Sequence, residues 1–344
     1  MKHIKAGVIG ATGYAGTELV RLLSCHPNVS LTAVSSVSYE GQRLSDIYPN
    51  LYGICDLTLK SADDVISGQT VVFTALPHGL SEDIAAKCKD VVLIDLGADF
   101  RLADESVYKA WYGKPFLHPE LHTSSVYCIP ELHRQAVGEA GIIANPGCYP
   151  TAAALGLAPA VEGGLIETEG IIIDSKSGVT GAGRSLTQNT HYPDTNEAFS
   201  AYKAGEHRHT PEIEQLLSVL AGTDIKVTFI PHLLPVNRGI ESTIYCRLKE
   251  GMSYETARCV YENAYKYERF VRVMPKNVYA NIKNVRMSNY CDISLHVDSH
   301  TEMLIVCVCI DNMIKGAAGQ AIQNMNIRFG FDEAAALLTA PPAF

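Results

Sequence analysis

No segment of the sequence is apolar for long enough to cross a lipid bilayer. The longest apolar run near its end, MLIVCVCI, covers only Met303–Ile310, whereas a membrane-spanning helix needs about 20 residues. The first ten residues, MKHIKAGVIG, lead at once to glycine and lack the apolar core of a signal peptide. The sequence therefore predicts a soluble, cytoplasmic protein with no membrane partner.

The sequence also lacks any cluster of basic residues. Its 28 Lys and Arg are outnumbered by 37 Asp and Glu, which gives a formal net charge of −9. Binding to a nucleic acid or an anionic membrane favours a basic patch, so neither is an expected partner. A small phosphorylated metabolite is still compatible with this charge, because a few arginines in one pocket are enough to bind it.

Paired cysteines are absent as well. Ten cysteines are scattered along the 344 residues, and none forms a Cys-x-x-Cys pair. Disulfides are rare in cytosolic chains of this size, and a metal site would need further ligands at short spacing. We therefore expect reduced thiols, most of them small core side chains, and no bound metal.

Strand and helix patterns alternate through the first 100 residues. Continuous apolar runs at Lys5–Ala11, Val29–Ser36, Thr70–Pro77 and Val91–Gly97 are separated by helical stretches. Such runs are typical of a parallel α/β sheet that is covered on both faces.

After residue 148 the strand-like runs become longer, as in Lys226–Leu248 and Asp292–Asp311. They indicate an α+β domain with a mixed or antiparallel sheet. We divide the chain into domains at 1–147 and 148–311. A C-terminal segment, 312–344, contains a predicted helix from Lys315 and is expected to join the first domain.

Three spaced glycines form the first motif with chemical meaning. Gly10, Gly13 and Gly16 lie between a predicted strand and a predicted helix, the arrangement that binds the pyrophosphate of a dinucleotide at a helix N-terminus. A glycine-rich turn without a ligand is the alternative. The expected cofactor-binding residues of this turn are Gly10, Thr12, Gly13, Tyr14, Ala15 and Gly16.

The end of the second predicted strand carries serines where NAD enzymes usually carry an acidic residue. Ser35 and Ser36 occupy this place, and Arg43 follows nearby. Hydroxyl groups can donate to a 2′-phosphate, whereas a carboxylate would repel it. The sequence thus favours NADP over NAD, unless the serines simply end the strand.

Cys148 stands apart from the other cysteines because it lies where a helix is predicted to begin. In NPGCYPTAAALGLA, Pro150 and Thr151 suit a first helical turn. The thiolate is the nucleophilic form of cysteine, and a helix N-terminus lowers the pKa of a thiol. From these residues alone, a reactive thiolate and an ordinary structural cysteine are about equally supported.

A catalytic cysteine needs a group that handles protons, and the segment GEHRHTPEIEQLL offers His207 and His209. Thr210 fits a helix N-cap and Pro211 the following position, while Glu212 falls near enough to orient an imidazole. A His-x-His metal pair and a plain capping segment are the alternatives. Two arginines that follow strands or loops, Arg101 and Arg184, could each clamp a phosphate or carboxylate.

Several motifs, taken in this order, resemble one known family. They cover nearly the whole chain: GATGYAGTEL, ALPHG, DLGADFRL, NPGCYPTA, SGVTGAGR, HRHTPEI, PVNRG and DNMIKGAAGQAIQNMN. The set resembles the shorter bacterial type of N-acetyl-γ-glutamyl-phosphate reductase, a family of arginine biosynthesis. The resemblance implies a Rossmann-like domain and a catalytic, dimerising domain like that of glyceraldehyde-3-phosphate dehydrogenase, in homodimers or homotetramers.

The resemblance also implies roles for individual residues. Cys148 matches the family nucleophile, His207 the catalytic histidine, and Glu212 the carboxylate that orients it. Substrate and cofactor contacts follow in the same way: His209, Arg101 and Arg184 at the substrate and its phosphate, and Asn312 beside the nicotinamide. In the related aspartate-semialdehyde dehydrogenases the catalytic histidine follows a P-V-x-x-G motif, whereas here Ile240 follows Gly239.

The implied reaction is the reduction of an acyl phosphate through a thioester. Cys148 attacks the acyl carbon, phosphate leaves, NADPH reduces the thioester, and His207 shuttles the proton as the semialdehyde is released. The same chemistry on aspartyl phosphate, or on a carrier-linked aminoadipyl phosphate, is the nearest alternative. A non-catalytic dinucleotide sensor is the alternative from a different class.

Overall fold

Seven short strands of the first structural unit form one parallel sheet. The computed structural model describes residues 3–343, and this unit comprises residues 3–146 and 317–339. The strands run in the order β3-β2-β1-β4-β5-β7-β6, and every neighbouring pair is parallel, as the apolar runs predicted. Their bounds are β1 (Ile4–Ile9), β2 (Val29–Ser35), β3 (Leu59–Lys60), β4 (Val71–Thr74), β5 (Val92–Asp95), β6 (Ser125–Tyr127) and β7 (Ile142–Ala144).

The helices of this unit join successive strands. They are α1 (Tyr14–Leu23), α2 (Leu44–Ile47), α3 (Ala62–Ile66), α4 (Ser81–Lys87), α5 (Glu105–Tyr112), α6 (Pro119–His122) and α7 (Pro130–His133), with the C-terminal α12 (Gly319–Phe329) beside α1. The chain runs outward from β1 to β3 and then returns to β4 on the other side of β1. Open α/β sheets bind ligands at such a reversal, outside the carboxyl ends of the strands.

The second unit, residues 147–316 and 340–343, contains a mixed sheet of seven strands. Its order is β12-β13-β14-β11-β8-β10-β9, in which β8 and β10, and also β12 and β13, are parallel. The long strands confirm the predicted α+β class. Their bounds are β8 (Ile171–Gly178), β9 (Ser200–Ala201), β10 (Val227–Leu234), β11 (Ile240–Arg247), β12 (Val271–Val273), β13 (Cys291–Asp298) and β14 (Met303–Ile310).

One helix of this unit is buried on all sides. The helices are α8 (Cys148–Glu162), α9 (Tyr192–Thr195), α10 (Thr210–Ala221) and α11 (Tyr254–Ala264), and α8 packs against β11, β14, α10 and α11. Every residue of α8 from Tyr149 to Val161 is buried, because a helix that is apolar all round must be covered all round. Even so, no helix within residues 3–343 is long and apolar enough to cross a membrane.

The structure departs from the sequence predictions at two helix ends. Helix α10 begins at Thr210, so that His209 rather than Thr210 is its N-cap residue. The C-terminal helix does not start as a regular helix at Lys315, because residues Ile314–Ala318 form a π-helical turn before α12. Residues 312–316 and 340–343, predicted to join the first unit, group with the second.

Candidate active site

Cys148 is the first residue of α8; it is half-buried, and its sulfur is not part of a disulfide. Gly147, the N-cap residue, precedes it in an extended conformation, with φ −67° and ψ 156°. As a glycine, it has no side chain that could cap the helix. The aligned peptide dipoles of the 15-residue helix place partial positive charge beside this sulfur. That charge favours the thiolate over the thiol.

Glu212 supplies a hydrogen-bond acceptor at the same helix end. It lies in the first turn of α10, is almost fully buried, and accepts the backbone N–H of Gly147 at 2.8 Å through Oε1. The carboxylate thus satisfies an amide next to the nucleophile. Its negative charge also offsets part of the positive potential that the helix directs at the sulfur.

His207 lies just before α10 and is surrounded by aromatic rings. Its ring centroid is 5.5 Å from that of Tyr149, 5.6 Å from Tyr202, 5.4 Å from Phe229 and 4.8 Å from His209. Burial, reinforced by the cations Lys203 and Arg208, lowers the pKa of His207 to about 4. The imidazole is therefore neutral at physiological pH.

The tyrosines beside His207 stay protonated. The hydroxyl groups of Tyr149 and Tyr202 are 3.1 Å apart. Burial raises the pKa of Tyr202 to about 12 and that of Tyr149 further still. Both side chains are consequently neutral hydrogen-bonding groups at the start of α8.

Two loops of the second unit are braced by Asn312. Its Oδ1 accepts the backbone N–H of Gly239 at 2.9 Å, and its Nδ2 donates to Oγ1 of Thr180 at 3.0 Å. The π-helical turn that follows brings Gly316 against Cys148, where a Cβ on residue 316 would lie 2.7 Å from the Cβ of the cysteine. Only glycine lets this turn pass so close to the thiol-bearing residue.

The remaining residues predicted for the substrate lie in different surroundings. His209 is half-buried, with its ring edge-on to Tyr149 at 5.8 Å, so it belongs to the same cluster as His207. Arg184 is exposed on the glycine-rich loop that follows β8. Arg101 belongs to the first unit, where it follows β5, is only 8% exposed, and donates from Nη2 to the carbonyl of Leu96 at 2.7 Å.

In the first unit, the structure requires glycine at two of the three glycine positions in the turn after β1. Gly10 has φ +86°, which disfavours any residue with a Cβ. A Cβ on Gly16 would lie 2.1 Å from the carbonyl oxygen of Gly10. Gly13 has an ordinary φ of −75° and 3.4 Å of clearance to its nearest neighbour, so neither its conformation nor its packing demands glycine.

Hydroxyl groups line the end of β2 beside this turn. Ser35 accepts the N–H of Gly10 at 3.3 Å, and Ser36 shares a hydrogen bond of 2.7 Å with Thr12. Both serines are buried, whereas Tyr14 and Ala15 open α1 at or near the surface. Arg43, exposed, forms an ion pair with Asp46 at 3.0 Å.

Comparisons with known proteins match both structural units of the chain. Residues 5–140 match the NAD binding domain of semialdehyde dehydrogenases, and residues 148–312 match their dimerisation domain. An N-acetyl-γ-glutamyl-phosphate reductase of Clostridium beijerinckii is 57% identical, over 99% of this chain and all of its own. Its counterpart in Symbiobacterium thermophilum is 49% identical over 99% of both chains.

The chain belongs to the N-acetyl-γ-glutamyl-phosphate reductase family. Membership confirms the resemblance that the motifs showed. Solved structures show the same fold at much lower identity. An aspartate semialdehyde dehydrogenase II of Vibrio cholerae, complexed with ASA, matches 95% of this chain with a TM-score of 0.72 at 16% identity, and covers 98% of its own chain. An aspartate semialdehyde dehydrogenase of Candida albicans, solved with NADP, matches 95% with a TM-score of 0.70 at 18% identity, and also covers 98% of its own chain.

Sequence reasoning missed four residues that lie against Cys148 or His207 in this family member. Tyr149, Tyr202, Phe229 and Gly316 were not predicted as site residues, although Tyr149 and Gly316 lie inside motifs that the resemblance used. Tyr202 lies outside these motifs, and its contact with His207 arises only when the chain folds. A tyrosine next to a candidate nucleophile is the signal that would have found Tyr149.

Proposed function

We propose that the chain reduces N-acetyl-γ-glutamyl phosphate to N-acetylglutamate semialdehyde and phosphate, using NADPH, as a step of arginine biosynthesis. The observation that carries this proposal is the full-length identity of 49–57% to relatives named for that reaction. The thiol at the start of α8, with an imidazole held nearby, supplies the chemistry that the reaction needs.

The first half of the reaction forms a thioester on Cys148. The sulfur attacks the acyl carbon, the carbon–sulfur bond forms, and the bond from carbon to the phosphate oxygen breaks. The thiol proton leaves with the phosphate, so the products are a thioester and hydrogen phosphate. Acyl transfer to sulfur is useful because a thioester carbonyl accepts hydride, whereas a carboxylate is a poor acceptor.

Dinucleotide binding fits the residues of the first unit. Neither the conformation nor the packing of residue 13 requires glycine. A pyrophosphate that approaches the backbone at this residue would require it. When bound, NADPH supplies the hydride that reduces the thioester carbonyl. The resulting oxyanion needs hydrogen-bond donors, and its collapse releases the semialdehyde and returns Cys148 as a thiolate, which takes a proton from water.

The preference for NADPH over NADH rests on Ser35 and Ser36 in this proposal. The side chains at the end of β2 next to Gly10 and Thr12 are hydroxyl groups, and no carboxylate occupies residues 35–37. Arg43 would contribute a positive charge to binding of the 2′-phosphate if its ion pair with Asp46 were replaced by one with the phosphate. Asn312 is proposed to face the nicotinamide as part of the braced loop.

The substrate contacts are proposed on charge and position. Arg101 and Arg184 carry the guanidinium groups suited to a phosphate, which they bind in bidentate fashion. His209 belongs to the cluster that contains His207 and Tyr149 and is assigned to the substrate. Glu212 is assigned to the positioning of Cys148 through Gly147.

A second copy of the chain is proposed to cover the sheet face opposite α8. Ile172, Tyr245 and Ile305 are cross-strand neighbours on β8, β11 and β14, and all are at least partly exposed. The description of residues 148–312 as a dimerisation domain supports assembly through this unit. We expect a homodimer or homotetramer, which light scattering after size-exclusion chromatography measures, and we expect Ile305→Lys to yield monomers.

We also propose that the enzyme works in the cytoplasm. None of the ten cysteines, all of which lie within the described residues 3–343, is paired in a disulfide. Reduced thiols in such number are typical of a reducing compartment.

The function is tested by running the reaction backwards. N-acetylglutamate semialdehyde, phosphate and NADP are supplied, and the absorbance of NADPH is followed. Aspartate semialdehyde serves as the control, because the solved structures of similar fold belong to enzymes named for it. Equal or faster turnover of aspartate semialdehyde would contradict the proposal.

A further inference from the structure

The turn that passes Cys148 has the hydrogen bonding of a π-helix. The backbone N–H of Gly316 donates at 2.9 Å to the carbonyl oxygen of Asp311, five residues earlier in the chain. Turns of this kind are rare and frequently occur at functional sites. This one brings Gly316 against both Cβ and Cα of Cys148. Irregular backbone persists only where the surrounding contacts determine it, and here those contacts come from Asp311.

The side chain of Asp311 caps the same turn. Its Oδ1 accepts the backbone N–H of Met313 at 2.8 Å and that of Ile314 at 3.0 Å. The first N–H groups of a helical segment have no acceptor within that segment, and the carboxylate supplies one. Asp311 thus holds the turn twice, through its carbonyl oxygen and through its carboxylate.

The second oxygen of this carboxylate ties the turn to a neighbouring loop. Oδ2 of Asp311 accepts the backbone N–H of Met287 at 2.7 Å. Met287 has φ +59°, a conformation that is uncommon for a residue with a side chain, so the bond also stabilises a strained position. Arg238 adds positive charge, with its Nη1 3.7 Å from Oδ1. Both oxygens of a fully buried carboxylate are therefore fixed in place.

We propose that Asp311 is a positioning residue for Cys148: it holds the π-helical turn, and through Gly316 the turn keeps the cysteine oriented for attack. This inference rests on the proposed function, in which the sulfur attacks the acyl carbon. A misplacement of about 1 Å at a reacting atom can cost about 100-fold in rate. Loss of the carboxylate should therefore affect the chemical step more than it affects substrate binding.

Asp292 offers a matched control in the same unit. It is fully buried like Asp311, and Arg272 of β12 donates to it from Nε at 2.6 Å and from Nη2 at 2.9 Å. Burial raises the pKa of both carboxyl groups. Because the bonds of Asp292 join β12 and β13, its replacement should weaken the sheet and leave the turn at Cys148 in place.

The kinetic test compares Asp311→Asn with Asp292→Asn in the assay that supplies N-acetylglutamate semialdehyde, phosphate and NADP. Asparagine keeps one acceptor oxygen but directs an N–H group at one of the former donors. We expect Asp311→Asn to lower kcat about 10- to 100-fold with little change in the KM for the semialdehyde. Asp311→Ala, which removes every side-chain bond, should have a lower kcat still. Asp292→Asn should lower the thermal midpoint and leave kcat nearly unchanged.

Alkylation reports on the cysteine in the absence of substrate. Iodoacetamide is added to the folded chain, and mass spectrometry of its peptides follows Cys148, with the fully buried Cys246 as an internal reference for unfolding. The turn covers one side of Cys148. We therefore expect Cys148 to react several-fold faster in Asp311→Asn than in the unmodified chain, while Cys246 stays unreacted. Asp292→Asn should leave the rate at Cys148 unchanged.

Equal kcat, or equal alkylation of Cys148, in the two asparagine variants would overturn the proposal, because Asp311 would then contribute to stability alone. If Asp311→Ala does not fold, Asp311→Asn decides, since asparagine has nearly the volume of aspartate. Gly316→Ala keeps the carboxylate of Asp311 and displaces the turn from Cys148, so it should reproduce the loss of kcat; a normal kcat there would also overturn the proposal.

A failure of the proposed function would look different. The unmodified chain would then show no turnover of N-acetylglutamate semialdehyde, while Cys148 would still be alkylated faster in Asp311→Asn than in Asp292→Asn. That result would refute the reaction and leave intact the control of Cys148 by the turn.

Discussion

The glycine turn of the first unit and the cysteine–histidine cluster of the second differ in how far apart their residues lie in the chain. The turn and its hydroxyl partners fall within Gly10–Ser36, and their contacts follow from one strand–helix–strand unit. The cluster draws on Cys148, Tyr202, His207 and Gly316, which a helix, one loop and a π-helical turn bring together. A local motif can thus be interpreted from spacing, whereas a cluster of distant residues acquires its electrostatics only on folding.

The strongest test of this contrast removes the nucleophile. Cys148→Ala should lower the rate of reduction by about 10⁴-fold or more, because no other group can form the thioester. NADPH binding, measured by the fluorescence of the nicotinamide, should be nearly unchanged, since the glycine turn belongs to the other unit. Turnover at the normal rate in this variant would refute the assignment of Cys148.

Within the turn, Gly16 and Gly13 are expected to respond differently to replacement by alanine. Gly16→Ala would force a Cβ to 2.1 Å from a backbone oxygen, so we expect unfolding to become easier by about 1–3 kcal/mol. Gly13→Ala should leave the thermal midpoint almost unchanged and weaken NADPH binding about tenfold. Equal thermal midpoints for the two variants, or unaltered NADPH affinity in Gly13→Ala, would contradict the roles given to these glycines.

Two variants of Glu212, whose carboxylate lies at the start of α8, distinguish the effect of its hydrogen bond from the effect of its charge. Glu212→Gln keeps an oxygen that can accept the Gly147 amide and removes the negative charge, so alkylation of Cys148 should proceed at lower pH than in the unmodified chain. Glu212→Ala removes both, and its thermal midpoint should fall, since a lost bond to a charged acceptor costs about 1.5–3 kcal/mol. An unchanged pH profile of alkylation in Glu212→Gln would show that this charge does not act on the sulfur.

The smallest expected effect concerns the choice of cofactor. Ser36→Asp places a carboxylate at the end of β2, where we propose the 2′-phosphate to lie, and should raise the KM for NADPH about tenfold through repulsion at an effective dielectric near 20 to 80. The KM for NADH should change little. Ser36→Ala, which removes the bond to Thr12 without adding charge, is the matched control, and an equal response of both cofactors to Ser36→Asp would exclude this serine from the recognition.

Much of the fold was predictable because its signals are local. The parallel strands of the first unit are apolar runs, which differ from helices in their period and length. In the long strands of the second unit, buried and more exposed residues alternate, as expected for a sheet with one covered face. Helix ends were less predictable. At Thr210, side-chain chemistry suggests an N-cap, yet His209 takes that position. At Ile314–Ala318 a π-helical turn replaces the regular helix where Gly316 passes Cys148.

By itself, the sequence determined the glycine turn after the first strand, the thiol at the start of a helix, and the family. Each depends on residues that are neighbours in the chain or on motifs in a set order. Only the tertiary structure decided that Glu212 accepts the backbone N–H beside Cys148 and that burial lowers the pKa of His207. Protonation depends on burial and on hydrogen-bond partners, and both arise when segments far apart in the chain pack around one imidazole.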